Sequence, residues 1–143
     1  MSDDELPEYK ESPPKSLESD RYAIQGKLRR IRLLEDQLQE VKEDLEERLE
    51  IHEELDREFS QERGFKERKL ERVERFGSLE DGELRKRELR NRIENLKQEQ
   101  WRENVRAWRD SQDLLREARG LNRALNDLRL RLEGLKDYFR SER

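Results

Sequence analysis

The chain has 143 residues, of which 49% are charged and 30% are hydrophobic. An average globular domain is about 25% charged and 45–50% apolar, so this sequence has too few apolar residues to fill a rounded core. It contains no cysteine, which excludes disulfides, thiolate metal sites and cysteine nucleophiles. We therefore expect either long exposed helices that share a narrow apolar seam or a disordered chain.

The charge changes sign along the chain, although the net charge is only −4. Residues 35–62 contain thirteen acidic and three basic residues, whereas residues 63–92 contain seven acidic and eleven basic ones. Interleaved charges of this kind are typical of helices whose exposed faces carry ion pairs. A nucleic-acid-binding chain would show a basic total or a continuous basic face, so the pattern disfavours nucleic acid as a partner.

The first eighteen residues form an acidic segment without an apolar period, and all three prolines of the chain lie within it. We predict a disordered acidic tail over residues 1–18. Beyond it no proline interrupts the sequence, and Ser19 or Asp20 can cap a helix. We therefore predict a first coiled-coil helix over residues 19–76.

Apolar residues recur every three and four positions along the predicted first helix. Sustained over six heptads, this spacing predicts a coiled coil rather than a single amphipathic helix. His52 lies in one column of the repeat, where a lone polar residue fixes register more often than it binds metal. The zinc-protease motif would require a second histidine where the chain has Asp56, so we predict no metal site. The column comprises Ile24, Ile31, Leu38, Leu45, His52 and Phe59.

A turn is predicted over residues 77–82. Gly77 suits the left-handed position that follows a helix end, and Ser78 with Asp81 resembles a helix-capping pair. The second coiled-coil helix is predicted over residues 83–140. Its seam comprises Leu114, Leu121, Leu125, Leu128, Leu132 and Leu135.

Trp101 and Trp108 lie one heptad apart, one residue out of phase with this seam. They are therefore rotated by about 100° around the helix, and a helix with two apolar faces has more than one neighbour. We interpret the two tryptophans as buried packing at a helix–helix interface. The alternative is a pair of hot-spot residues for a partner chain.

Two helices of equal predicted length suggest an elongated antiparallel helical hairpin, an all-α fold. Folding about residue 79 or 80 places Leu38 near Leu121 and Ile31 near Leu128. A parallel pairing of two chains is the alternative. The hairpin would also place the acidic residues 35–62 opposite arginines of the second helix. These are Arg102, Arg106, Arg109, Arg116, Arg119 and Arg123.

The most basic cluster of the chain lies near the predicted hairpin tip. It is interpreted either as a solvated face or as a candidate docking site for phosphates or an acidic protein surface. Glu83 and Glu88 dilute its charge, and no aromatic residue within it could stack on a base. The cluster comprises Arg85, Lys86, Arg87, Arg90 and Arg92.

The sequence contains no pattern of catalytic residues and no phosphate-binding glycine loop. We expect a non-catalytic coiled-coil structural or adaptor subunit that needs no cofactor and assembles with other helical chains, as a homo- or hetero-oligomer. The alternatives are a regulatory stalk or chaperone hairpin acting on an ATPase or secretion-type partner, and nucleic-acid or polymer docking through the basic hairpin tip. The strict leucine spacing favours a partner helix over a membrane. The absence of cysteine and of a signal-like start suggests the cytoplasm or nucleus.

Overall fold

A computed structural model describes the backbone of residues 13–76 and 80–141 and the side chains of residues 20–76, 82–138 and 140–141. The first helix, α1, spans Pro13–Phe76, and the second, α2, spans Glu80–Ser141. The helices pack antiparallel, because residues early in α1 share a core with residues late in α2. The predicted all-α helical hairpin is confirmed.

The first helix begins at Pro13, six residues before the predicted start. The described helix therefore includes residues 13–18, while residues 1–12 lie outside the described part of the chain. Proline fits the first turn of a helix because the amide that it lacks would have no intrahelical partner. Pro13 and Pro14 are therefore compatible with a helix that begins at Pro13.

The second helix begins at Glu80, three residues before the predicted start, and ends one residue later than predicted. Gly82 therefore lies inside the helix instead of in a turn, and no described glycine has a positive φ. A glycine costs only about 1 kcal/mol in a helix interior, so Gly82 does not set the boundary. The predicted roles of Gly77 and Ser78 concern positions outside the described residues.

The helix pair divides into two compact units, each containing a segment of both helices. Among the described residues, unit 1 combines those up to Val41 with those from Glu117 onward, and unit 2 comprises those between Lys42 and Arg116. The units differ in how their helices meet, since unit 1 has an apolar interior and unit 2 a mixed one.

Unit 1 is held together by interdigitating leucine and isoleucine side chains. Its buried centre contains Ile31 and Leu38 from α1 and Leu125 and Leu132 from α2. The predicted neighbours of Leu38 and Ile31 belong to the same cluster, so the register follows folding about residue 79 or 80. An ion pair of 3.1 Å between Arg129 Nη2 and Glu35 Oε1 spans the two helices beside it. The half-buried members of the cluster are Ile24, Leu34, Ala118, Leu121 and Leu128.

Unit 2 has a smaller apolar interior. Its buried hydrophobic residues are Ile93, Leu96 and Ala107. Toward the tip, the described side chains of residues 60–76 and 82–92 include none that is buried. Polar and half-buried side chains occupy the space between the helices there, so this end has the least apolar contact to stabilise it.

Replacing Leu125 with alanine should destabilise the protein far more than replacing Leu130. Leu125 is only 2% exposed, whereas Leu130, on the same helix, is 67% exposed. Removing the buried side chain leaves a cavity and should lower the free energy of unfolding by about 2–5 kcal/mol, whereas the exposed one should change it by less than about 0.5 kcal/mol. Urea denaturation followed by circular dichroism measures both. Equal losses would contradict the described packing.

Amide hydrogens of residues 60–76 and 82–92 should exchange faster than those of residues 93–107, because local opening is easiest where little apolar surface is buried. Substituting Gly64 with alanine should slow exchange around it. A methyl group at this position meets no atom within 4 Å, and alanine is favoured over glycine by about 1 kcal/mol in a helix. Hydrogen exchange with mass spectrometry tests both points, and slower exchange at 60–76 than at 93–107 would refute the first.

Candidate functional site

A polar cluster lies inside unit 2, where the helix seam would otherwise be apolar. The Arg48 guanidinium is at its centre, with Nη1 2.8 Å from Glu103 Oε1 and Nε donating to Asp110 Oδ2 at 2.8 Å. Glu103 is only 7% exposed. His52 Nδ1 lies 3.6 Å from the same Glu103 oxygen. One arginine thus binds two acidic residues of the facing helix.

The geometry of this cluster makes Arg48 indispensable to it. Hydrogen bonding to Asp110 and then to Glu103 raises the pKa of the Arg48 guanidinium, against the opposing effect of burial. The contact with Glu103 is short, but Glu103 Oε1 and His52 Nδ1 both lack a well-aligned hydrogen bond. Removing the arginine would therefore leave the buried Glu103 carboxylate without the guanidinium that compensates its charge. Among the described residues, no group of three or more acidic or histidine side chains could hold a metal ion.

The sequence contained a signal for this cluster that its interpretation missed. Arg48 lies seven residues after Val41 and seven before Leu55, in a seam column. Glu103 occupies a seam position of α2, between Leu96 and the buried Ala107. A positive and a negative residue placed in facing seam positions predict a buried ion pair once the register of the hairpin is known.

The predicted seam residues fall into two groups. Those of unit 1 are buried or packed against its core, as described above. Leu45 and Leu114 are half-buried in unit 2, and Leu135 is half-buried in unit 1.

The tryptophans do not belong to this seam. Trp101 is 66% exposed and Trp108 is 64% exposed, so they do not pack between α1 and α2, and the predicted burial at a helix–helix interface would require another chain. Their rotation of about 100° from the seam turns them away from α1. Leu115, one heptad further on, is 38% exposed. The outer surface of α2 thus carries three large apolar side chains at heptad spacing.

An arginine follows each of these apolar residues directly. Arg102, Arg109 and Arg116 are exposed, and none forms an ion pair with a residue that the structure describes. Arg106 is also exposed and forms no such ion pair, so the charge match expected between residues 35–62 and these four arginines does not take the form of ion pairs between the helices. The inter-helix pairs of this unit use Arg48, Arg90 and Arg92 instead. We call Trp101, Arg102, Trp108, Arg109, Leu115 and Arg116 the apolar–arginine stripe.

The basic cluster near the tip is largely neutralised by its own neighbours. Arg92 Nη2 is 2.8 Å from Glu62 Oε1, and Arg90 Nη2 is 3.2 Å from Glu74 Oε1. Lys86 Nζ is 3.3 Å from Glu83 Oε1. Arg85 and Arg87 are the two members that form no ion pair with a described residue. The five cations therefore do not form one free basic surface.

Comparison with known proteins matches residues 16–133 to a family described as "Family of unknown function (DUF8104)". The chain belongs to this family. The part shared with DUF8104 includes segments of both helices, the Arg48 cluster and the whole apolar–arginine stripe. Searches among curated proteins and among solved structures found no match. Within the residues that the structure describes, no helix is long and apolar enough to cross a membrane.

Replacing Arg48 with alanine should lower the free energy of unfolding by about 2–4 kcal/mol, because Glu103 is left buried without a cation. Arg92→Ala is the matched control. It removes an inter-helix ion pair of the same 2.8 Å length, but one whose partners are nearly half exposed, and such pairs contribute little. Urea denaturation at one protein concentration measures both variants.

The double variant Arg48→Leu/Glu103→Leu should recover most of the loss, since an apolar pair can replace a buried ion pair without penalty. Failure to recover would show that Arg48 stabilises unit 2 by something other than its charge.

Proposed function

We propose that this chain is a non-catalytic coiled-coil structural or adaptor subunit that binds other helical chains through the apolar–arginine stripe. The observation that carries the proposal is the exposure of Trp101 and Trp108, one heptad apart on one helix. Tryptophan and arginine are the residue types most enriched in the energetic centres of protein interfaces. The heptad spacing of the stripe indicates that the bound element is a helix, because a partner helix presents its own side chains at the same repeat.

The surroundings of the stripe support this surface over the basic tip. At the tip, three of the five cations contact acidic residues of the chain itself. In the stripe, Arg102, Arg109 and Arg116 have no such partner among the described residues. Arginine that is free of carboxylates can pair with those of another chain. We place this assembly in the cytoplasm or nucleus, which a chain without cysteine suits.

Photo-crosslinking inside cells of the source organism tests the proposal. A benzophenone amino acid at Asn104, which lies one turn from both tryptophans, should form an adduct with a helical chain. Asn95 is the control position: it is also exposed, but nine residues place it on the opposite side of α2. We expect adducts from position 104 and few from position 95.

The double variant Trp101→Ala/Trp108→Ala should lose at least nine-tenths of these adducts while keeping its helical circular dichroism, because exposed substitutions rarely unfold a protein. The variant Arg85→Glu/Arg87→Glu should keep them. If the tip variant loses the adducts and the tryptophan variant keeps them, docking through the basic tip replaces the proposal. If position 104 gives no adduct in any chain, the stripe binds no helix.

A further inference from the structure

The apolar–arginine stripe is complemented in charge by the other helix of its own unit. Along α1, residues 43–58 contain a dense series of exposed carboxylates. Glu46, Glu50 and Glu53 are exposed and form no ion pair with a described residue. Leu49, 45% exposed, lies among them. We call Glu46, Leu49, Glu50 and Glu53 the acidic flank.

The acids of α2 do not neutralise its arginines. Glu103 and Asp110 stand beside the stripe in sequence, but both are held by Arg48 inside or at the edge of the seam. The arginines of the stripe consequently retain their charge on the outside, while the carboxylates of α1 retain theirs. Within unit 2, residues 43–58 of α1 thus present an acidic outer surface, and residues 102–116 of α2 present an arginine-rich one.

The apolar residues of the stripe and Leu49 of the acidic flank border the same face of the helix pair. Gln100 faces α1, since its Nε2 donates to Asp56 Oδ1 at 2.7 Å. At 100° per residue, Asp110 and Trp108 lie about 80° to either side of Gln100. Arg48 bonds Asp110 and therefore lies on the Asp110 side of the helix pair. Leu49, the next residue, is rotated by about 100° from Arg48 around α1. This rotation brings Leu49 within about 20° of Asp56, the residue that contacts Gln100. Leu49 therefore lies on the side of Trp108.

The two halves also lie at the same level along the helices. The bond between Arg48 and Asp110 places Leu49 next to the level of Trp108. A two-fold axis parallel to the helices that brings the face against itself places α1 of one copy over α2 of the other at the same level. Each contact then occurs twice, as in any isologous interface. The remaining orientation would place carboxylates over carboxylates and is repulsive.

We infer that the partner held by the stripe is a second copy of this chain, with the acidic flank of each copy lying on the apolar–arginine stripe of the other. This inference rests on the proposed function and names the partner. Leu49 of one copy packs on the tryptophans of the other, while Glu46, Glu50 and Glu53 pair with the arginines. The interface is a four-helix arrangement in which two tryptophans per copy become buried.

A charge-exchange experiment tests the inference. The first variant carries Arg102→Glu, Arg109→Glu and Arg116→Glu, and the second carries Glu46→Arg, Glu50→Arg and Glu53→Arg. Each variant alone places like charges opposite each other in both symmetry-related contacts of the dimer, which should weaken dimerisation by roughly tenfold or more. Mixed together, they restore opposite charges at both contacts and should form a heterodimer. The tip variant Arg85→Glu/Arg87→Glu controls for charge reversal as such.

Analytical ultracentrifugation at micromolar concentration provides the measurement, with circular dichroism to confirm that each variant is helical. The unaltered chain and the tip variant should sediment as dimers, with twice the 17.6 kDa mass of the chain. The variant Trp101→Ala/Trp108→Ala should sediment as a monomer. Dimers that persist in the tryptophan variant would overturn the inference, because another surface would then form them.

A monomeric unaltered chain would also overturn the inference. If crosslinks from position 104 to a different chain are present in that case, the proposed function stands and only the identity of the partner is wrong. If those crosslinks are absent as well, both proposals fail.

Discussion

The shortage of apolar residues governs how this protein is built. With 30% hydrophobic residues, the chain can fill a seam between two helices but no wider core. In unit 1 that seam is filled by Ile31, Leu38, Leu125 and Leu132, which are nearly inaccessible to solvent. In unit 2 the apolar supply is smaller, and polar residues must occupy part of the seam. The placement of charge in the rest of the molecule follows from this difference.

The consequence is clearest at Arg48. An arginine in the seam must be paired, because an isolated charge there would cost several kcal/mol. The buried Glu103 and the exposed Asp110 provide the pairing, and both come from α2. This helix, already rich in exposed arginine, thus commits two of its carboxylates to the cluster. Residues 102–116 of α2 are left with exposed arginines, opposite in charge to the exposed carboxylates of residues 43–58 of α1.

The exposed tryptophans lie next to these exposed arginines on α2. An isolated exposed apolar residue is ordinary on a protein surface, but two tryptophans and a leucine at heptad spacing, each followed by an arginine, form a surface that suits a helix bearing carboxylates. The chain contains such a surface in its own α1. The charge of these two surfaces and their level along the helices follow from the same register that brings Arg48 to Glu103 and Asp110.

Periodicity and composition alone predicted long helices with a leucine seam and the two apolar faces of α2, because a 3.5-residue repeat is a local property of the sequence. They left a parallel pairing of two chains open, and the shared core of Ile31, Leu38, Leu125 and Leu132 decided for the antiparallel hairpin. The helix starts at Pro13 and Glu80 were misplaced because proline and glycine are tolerated near helix ends. Only the tertiary structure decided which of the two faces of α2 meets α1. The 100° between Trp101 and the seam is visible in the sequence, but its direction relative to the other helix is not. The same holds for the arginines: net charge per segment predicted attraction between the helices, whereas ion pairing requires side chains within about 4 Å, and packing of the leucine seam turned Arg102, Arg109 and Arg116 outward.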